Sequence, residues 1–180
     1  MLSVDLVAHM DAGDRKQWAV DQNERPLSDL GRRQADALAD ALASESIDAL
    51  YSGPALRARQ TLEPLAKRLG LPIVVVEGIG DVETWRPPDG WDGERAPNVG
   101  AHAAGRAMAA LWDMQMEHED GRVVACSHGH VIPALVSFLI GAHELEGVPE
   151  VERRGQWHRV QLDGADVVGV ELVEAKAFPA

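Results

Sequence analysis

Short apolar runs alternate with stretches of helical periodicity along most of this 180-residue chain. The alternation constrains the fold more than any other feature, because strands separated by helices return to parallel neighbours and the helices cover both faces of the sheet. Residues 3–8 read as a short buried strand that runs into a polar loop over 9–25. Ser28 offers an N-cap, and Ala35, Leu38, Ala39 and Leu42 follow at helical spacing. A second strand over 47–51 ends at Ser52-Gly53-Pro54. From Ala55 a second helix places Ala58, Leu62, Leu65 and Leu69 on one face before Gly70 closes it. Residues 72–76 form the clearest β-branched run. Residues 77–100 are irregular, with three prolines and two of the five tryptophans. A loop of this length in a small domain is usually functional or mobile, and Trp85 and Trp91 suit a lid and the packing of the loop itself equally well. A helix over 102–116, a buried strand over 122–127, a helix over 131–140 and strands near 157–162 and 167–173 complete the pattern. No repeat, low-complexity tract or linker divides the chain. A single domain over 1–180 is expected, an α/β/α sandwich around a mostly parallel sheet.

Acidic residues outnumber basic ones 29 to 17, for a formal charge of −12. Sequence-independent nucleic-acid binding needs clustered Lys and Arg, and docking on anionic membrane needs them too, so neither partner is expected. The excess is uneven. Residues 71–150 carry 13 acids and 4 bases, whereas residues 1–70 carry 11 and 9. A site for a negatively charged ligand must draw much of its cationic chemistry from the first segment. The one cysteine, Cys126, excludes an internal disulfide and a multi-cysteine zinc site. The first residues lack the pattern of a secretory signal, and no apolar run approaches the roughly 18 residues of a membrane span, so a cytoplasmic protein is expected.

In open α/β sheets ligands sit beyond the carboxyl ends of the strands. Three such ends carry suggestive residues: His9 after the first strand, Arg57 and Arg59 after the second, and Cys126-Ser127-His128-Gly129-His130 after the strand over 122–127. If these strands are parallel neighbours, two histidines and an arginine converge on one edge. An imidazole there can attack phosphorus and hold a phosphoryl group, and an arginine fork suits the phosphate oxygens. His128 and His130 as metal ligands lack acids or cysteines at matching spacing, and no metal or cofactor is expected. A cysteine phosphatase needs an arginine six positions after its nucleophile, and position 132 is Ile. Cys126 therefore reads as a small buried strand residue.

Leu6-Val7-Ala8-His9-Met10, the run Arg25-Pro26-Leu27-Ser28-Asp29-Leu30-Gly31-Arg32-Arg33-Gln34-Ala35, the run Ser52-Gly53-Pro54-Ala55-Leu56-Arg57-Ala58-Arg59-Gln60-Thr61, and Ser127-His128-Gly129 resemble, in order, the motifs of the histidine phosphatase superfamily. This is the phosphoglycerate mutase-like group, and the chain looks most like its bacterial phosphohistidine phosphatase branch. The resemblance covers at least residues 4–140. It implies a phosphoglycerate mutase-like α/β/α sandwich that hydrolyses a phosphomonoester or phosphoramidate through a phosphohistidine, without metal. The substrate would be a small phosphorylated molecule or a phosphoprotein. The resemblance makes His9 the nucleophile, Arg57 the residue that binds the phosphoryl group, and His128 the second histidine on its oxygens. Asp81, in Ile79-Gly80-Asp81, stands where the family has the acid that protonates the leaving group, with Glu83 in reserve.

Three positions depart from the family pattern. Ala8 replaces the arginine that precedes the nucleophile, which removes one of two main cationic clamps on the phosphate, an effect of order 3 kcal/mol in the transition state. Arg15, as a substrate-binding residue, or Arg59 is expected to compensate in part. Met10 replaces a small residue and is expected to crowd the loop, and His130 stands where related sequences often carry an acid. Ala8 also supports a rival reading, a catalytically impaired member that binds a phosphorylated ligand or a protein partner. Mutase activity is less favoured, because the chain lacks the long insertions of the mutases. With most acids outside the first segment, the pocket is expected to be a small basic spot in an acidic shell, suited to a substrate with one phosphate.

Overall fold

A computed structural model describes residues 1–82 and 95–180, with the backbone alone over 95–97. Six strands form one sheet: β1 (Leu2–Ala8), β2 (Ala49–Ser52), β3 (Ile73–Val75), β4 (Gly121–Ser127), β5 (Gln156–Asp163) and β6 (Asp166–Glu174), in the order β3-β2-β4-β1-β5-β6. The first four in that order are mutually parallel, as the alternation predicts. β5 returns antiparallel beside β1, and β6 antiparallel beside β5. Four helices accompany them: α1 (Asp29–Leu42), α2 (Leu56–Leu69), α3 (Arg95–Glu117) and α4 (Ile132–Ala142).

The central strands are apolar on both faces because each face has its own helical layer. Along β1 the side chains alternate between two cores. Leu2, Val4 and Leu6 pack with Leu111 of α3 and Leu135 and Leu139 of α4. Val7 packs on the other side with Leu38 and Leu42 of α1 and Leu62 and Leu65 of α2. The apolar positions read from the periodicity of α1 are all buried, and Ser28 caps that helix by accepting the Gly31 N–H at 3.0 Å.

The structure shifts some boundaries for identifiable reasons. α3 begins at Arg95, seven residues before the predicted start, and Pro97 lies in its first turn, where no intrahelical N–H bond is lost. Residues 95–100 of the predicted irregular stretch therefore belong to α3, and the 3₁₀ turn Glu77–Ile79 occupies the beginning of that stretch. Glu83, Trp85 and Trp91, with the lid that the tryptophans suggest, lie outside the described residues. The β-branched run over 72–76 gives only a three-residue strand, because β3 is a sheet edge with β2 as its one neighbour. Among the described residues, no helix is long and apolar enough to cross a membrane.

Candidate active site

β1, β2 and β4 end together. Ala8 pairs with Ser127 and Ser52 with Cys126, and the pairing continues one residue further. The His9 N–H donates to the Ser127 carbonyl and the Gly53 N–H to the Cys126 carbonyl, both at 2.9 Å. His9, His128 and Arg57 in the first turn of α2 thus share one edge of the sheet. Asp81 joins them from the segment after Glu77–Ile79, which Ser127 Oγ holds by donating to the Ile79 carbonyl at 2.7 Å.

Arg57 lies at the centre, only 1% exposed. Its Nε donates to His9 Nε2 at 3.2 Å, one terminal nitrogen to the Asp81 carboxylate at 2.8 Å, and the other to the Gln22 carbonyl at 2.5 Å. His128 Nδ1 lies 3.3 Å from the nitrogen that meets Asp81. The second Asp81 oxygen accepts the Val82 N–H at 2.7 Å. The structure therefore brings together His9, Arg57, His128 and Asp81.

The contacts of His9 assign its tautomer. Nδ1 is 2.7 Å from the Met10 carbonyl, which can only accept, so Nδ1 carries the proton and the Nε2 lone pair faces the guanidinium. Burial pushes the His9 pKa down to about 3, aided by the positive charges of His128, Arg57 and Arg154 and opposed by the Met10 hydrogen bond. The ring is neutral at physiological pH and keeps a nucleophilic lone pair. Burial also pushes His128 down, against the pull of Asp81. The two imidazoles meet edge to face, with ring centroids 5.2 Å apart. His128 Nε2 is buried with no hydrogen-bond partner among the described residues. With Nδ1 accepting from Arg57, that nitrogen is a donor, and an unmet buried donor costs about 1–3 kcal/mol until an acceptor arrives.

A second set of contacts fixes the chain on either side of His9. Met10 does not crowd the loop: its side chain is 2% exposed and packs with Leu27, Ala35, Ala58 and Leu62, and its N–H donates to Thr61 Oγ1 at 3.0 Å. The helical layer of α1 and α2 has room for the longer side chain. Asp11 is tied to α1 through its carbonyl, which accepts the Ser28 N–H at 3.0 Å, and through its carboxylate, which accepts from Ser28 Oγ. Gly31 makes this approach possible, since a Cβ there would lie 1.9 Å from the Asp11 oxygen. Arg25 is nearly buried and donates to the carbonyls of Ala12 and Gly13 at 2.8 and 3.1 Å, and to the Gln22 side chain at 3.0 Å.

Other positions read from the sequence lie elsewhere. Arg15 sits on the exposed 3₁₀ turn Arg15–Gln17. Arg59 is half-buried on α2, with Nε lacking a partner among the described residues. Cys126 is fully buried, and burial pushes its thiol up to about 12. His130 is exposed, and no group of three or more His, Cys, Asp or Glu among the described residues could hold a metal ion. Sequence reasoning missed Gln22, Arg25, Thr61 and Arg154. Arg25 stands inside a recognised motif, but nothing in that motif says that its guanidinium is spent on loop carbonyls. For Arg154 the only signal was the strand that follows it.

A sequence model described as histidine phosphatase superfamily (branch 1) matches residues 10–86 and 80–165. An 8-oxo-(d)GTP phosphatase of Mycolicibacterium smegmatis is 27% identical over 171 residues, which is 95% of this chain and 48% of that protein, so the chain spans about half the length of this relative. A probable phosphoglycerate mutase GpmB of Yersinia enterocolitica is 27% identical over 188 residues, covering 92% of this chain and 85% of that one. The protein histidine phosphatase SixA, solved with tungstate, superposes with a TM-score of 0.66 at 21% identity, covering 96% and 97% of the two chains, a likeness of fold.

Proposed function

The chain belongs to the histidine phosphatase superfamily (branch 1), and on that premise we propose that it hydrolyses a phosphomonoester or phosphoramidate through a phosphohistidine on His9. One observation carries the reading: the Arg57 guanidinium spans His9 Nε2, Asp81 and the neighbourhood of His128 within 3.3 Å. A phosphoryl group placed among these residues takes over the guanidinium donors and meets the unpartnered Nε2 of His128. His9 Nε2 then attacks phosphorus as the bond to the leaving oxygen breaks, and the Met10 carbonyl steadies the proton on Nδ1 as the ring gains charge. Asp81 takes up a proton from solvent as the phosphoryl oxygens draw Arg57 away, and gives it to the leaving oxygen. In the second step water attacks phosphorus, the N–P bond breaks, the carboxylate recovers a proton, and phosphate leaves. The positive charge that the reaction needs comes from the guanidinium, so no resident metal is required. The substrate is a small phosphorylated molecule or a phosphoprotein.

Ala8 favours a second reading, an impaired member that binds a phosphorylated ligand without turnover. Assays with p-nitrophenyl phosphate on the parent, His9→Ala and Ala8→Arg separate the two. Turnover in the parent that His9→Ala abolishes supports hydrolysis. A silent parent that Ala8→Arg awakens supports the impaired reading. If no form turns over, hydrolysis is wrong.

A further inference from the structure

We propose that Arg154 supplies, from the start of the return strand, the second guanidinium of the phosphoryl pocket, in the space that Ala8 leaves open. The proposal deepens the phosphatase reading and rests on it for the identity of the ligand as a phosphoryl group.

The sheet topology places Arg154 there. β5 runs antiparallel to β1 with Leu6 opposite His158. Carrying that register toward the C-terminal end of β1 brings the residues just before Gln156 alongside those just after Ala8. A cavity of about 240 Å³ lies at this corner; Ala8, Gly129, His158 and Arg154 are in its wall, and Glu150 and apolar side chains of α4 also line it. Ala8 precedes His9 and Gly129 follows His128, so the cavity reaches the backbone beside both imidazoles. An arginine at position 8 would project its side chain from this same wall.

The turn that carries Arg154 is braced from several sides. Gly155 adopts φ +89°, which a side chain would strain, and a Cβ there would meet the Phe178 ring at 2.5 Å. The Gly155 carbonyl accepts the Ala175 N–H at 2.8 Å, the Gln156 N–H donates to the Arg153 carbonyl at 3.3 Å, and Arg153 pairs with Glu174. Arg154 is not spent on this scaffold: it makes no hydrogen bond or ion pair with any described residue. Its charge bears on His9 and on Cys126 at the end of β4. Burial works against the guanidinium more strongly than the Asp11 carboxylate supports it. A half-buried guanidinium that no carboxylate meets through a hydrogen bond is suited to an anion.

Calorimetry with tungstate and steady-state assays with p-nitrophenyl phosphate test the proposal on the full chain. The variants are Arg154→Ala, Arg154→Lys, Ala8→Arg with Arg154→Ala, and Arg68→Ala, on the exposed side of α2, as the control. Arg154→Ala should weaken tungstate binding about tenfold or more and lower kcat/KM about a hundredfold. Arg154→Lys should restore part of each, Ala8→Arg should restore both in the double variant, and Arg68→Ala should leave both unchanged. Tungstate affinity within twofold of the parent in Arg154→Ala overturns the proposal while leaving hydrolysis through His9 intact. So does a loss that Ala8→Arg does not repair in a variant whose melting temperature matches the parent. Arg154-dependent tungstate binding in a parent without turnover keeps the proposal and sinks the catalytic reading. No tungstate binding in the parent sinks both.

Discussion

At the residue scale the candidate site is organised by the Arg57 guanidinium and the His9 lone pair. Arg57 reaches His9, Gln22 and Asp81 at once because its donors form a rigid fork. Arg57→Lys keeps the charge but not the fork, and kcat/KM should fall about 10²- to 10³-fold in a steady-state assay. Asp81→Asn separates the acid from a mere counter-ion. If Asp81 protonates the leaving group, hydrolysis of an alkyl phosphate should fall about 10²-fold or more, while p-nitrophenyl phosphate, whose leaving group needs no proton, falls far less. Equal losses on both substrates contradict the role. The depressed pKa of His9 also has a stability consequence. Its folded value of about 3 lies below its ordinary 6.5, so the unfolded chain takes up a proton first as pH falls. The stability this group contributes is full above about pH 6.5 and is lost toward pH 3, at a limiting slope of about 1.4 kcal/mol per pH unit. Denaturant unfolding of His9→Gln against the parent should show the difference narrowing across that window, and a pH-independent difference contradicts it.

At the element scale, the site is held by the junction between the loop after β1 and the start of α1. Ser28→Ala removes the cap and the Asp11 contact together and should cost about 1–2 kcal/mol in urea unfolding. Gly31→Ala drives a methyl into the Asp11 backbone and should cost about 1–3 kcal/mol and lower activity with it, because Asp11 follows His9 by two residues. Activity unchanged in Gly31→Ala would show that this junction does not position the nucleophile. These elements were legible in the sequence because they are local: the Ser28 cap, the helical spacing of Ala35 and Leu38, and the strand ends at His9 and His128 are readable within a few residues. The convergence of Arg57, Asp81 and the two histidines followed from parallel neighbours and the family motifs. What was not legible depended on distant pairing. Nothing near Arg154 says that its strand turns back along β1, and nothing near Met10 says that α1 and α2 leave room for its side chain.

At the scale of the whole molecule, the charge of −12 sets which anions approach. Arg25, Arg57 and Arg154, whose charges bear on His9 or His128, are substantially buried, and the chain around them is acidic. Long-range repulsion should penalise a polyphosphate more than a monoester, and salt screens it, with a Debye length near 10 Å at about 0.1 M. Raising ionic strength from about 0.02 M to about 0.3 M should therefore raise kcat/KM for a triphosphate relative to p-nitrophenyl phosphate. A ratio that stays flat contradicts a role for the acidic shell. Hydrolysis through His9 requires a covalent intermediate. Rapid acid-free quenching of a single turnover with a phosphomonoester, followed by peptide mass spectrometry, measures it directly. The expected result is an acid-labile, base-stable phosphoryl group on His9 that is absent from His9→Gln. A phosphoryl group on any other residue, or turnover with no phosphohistidine formed, contradicts the account.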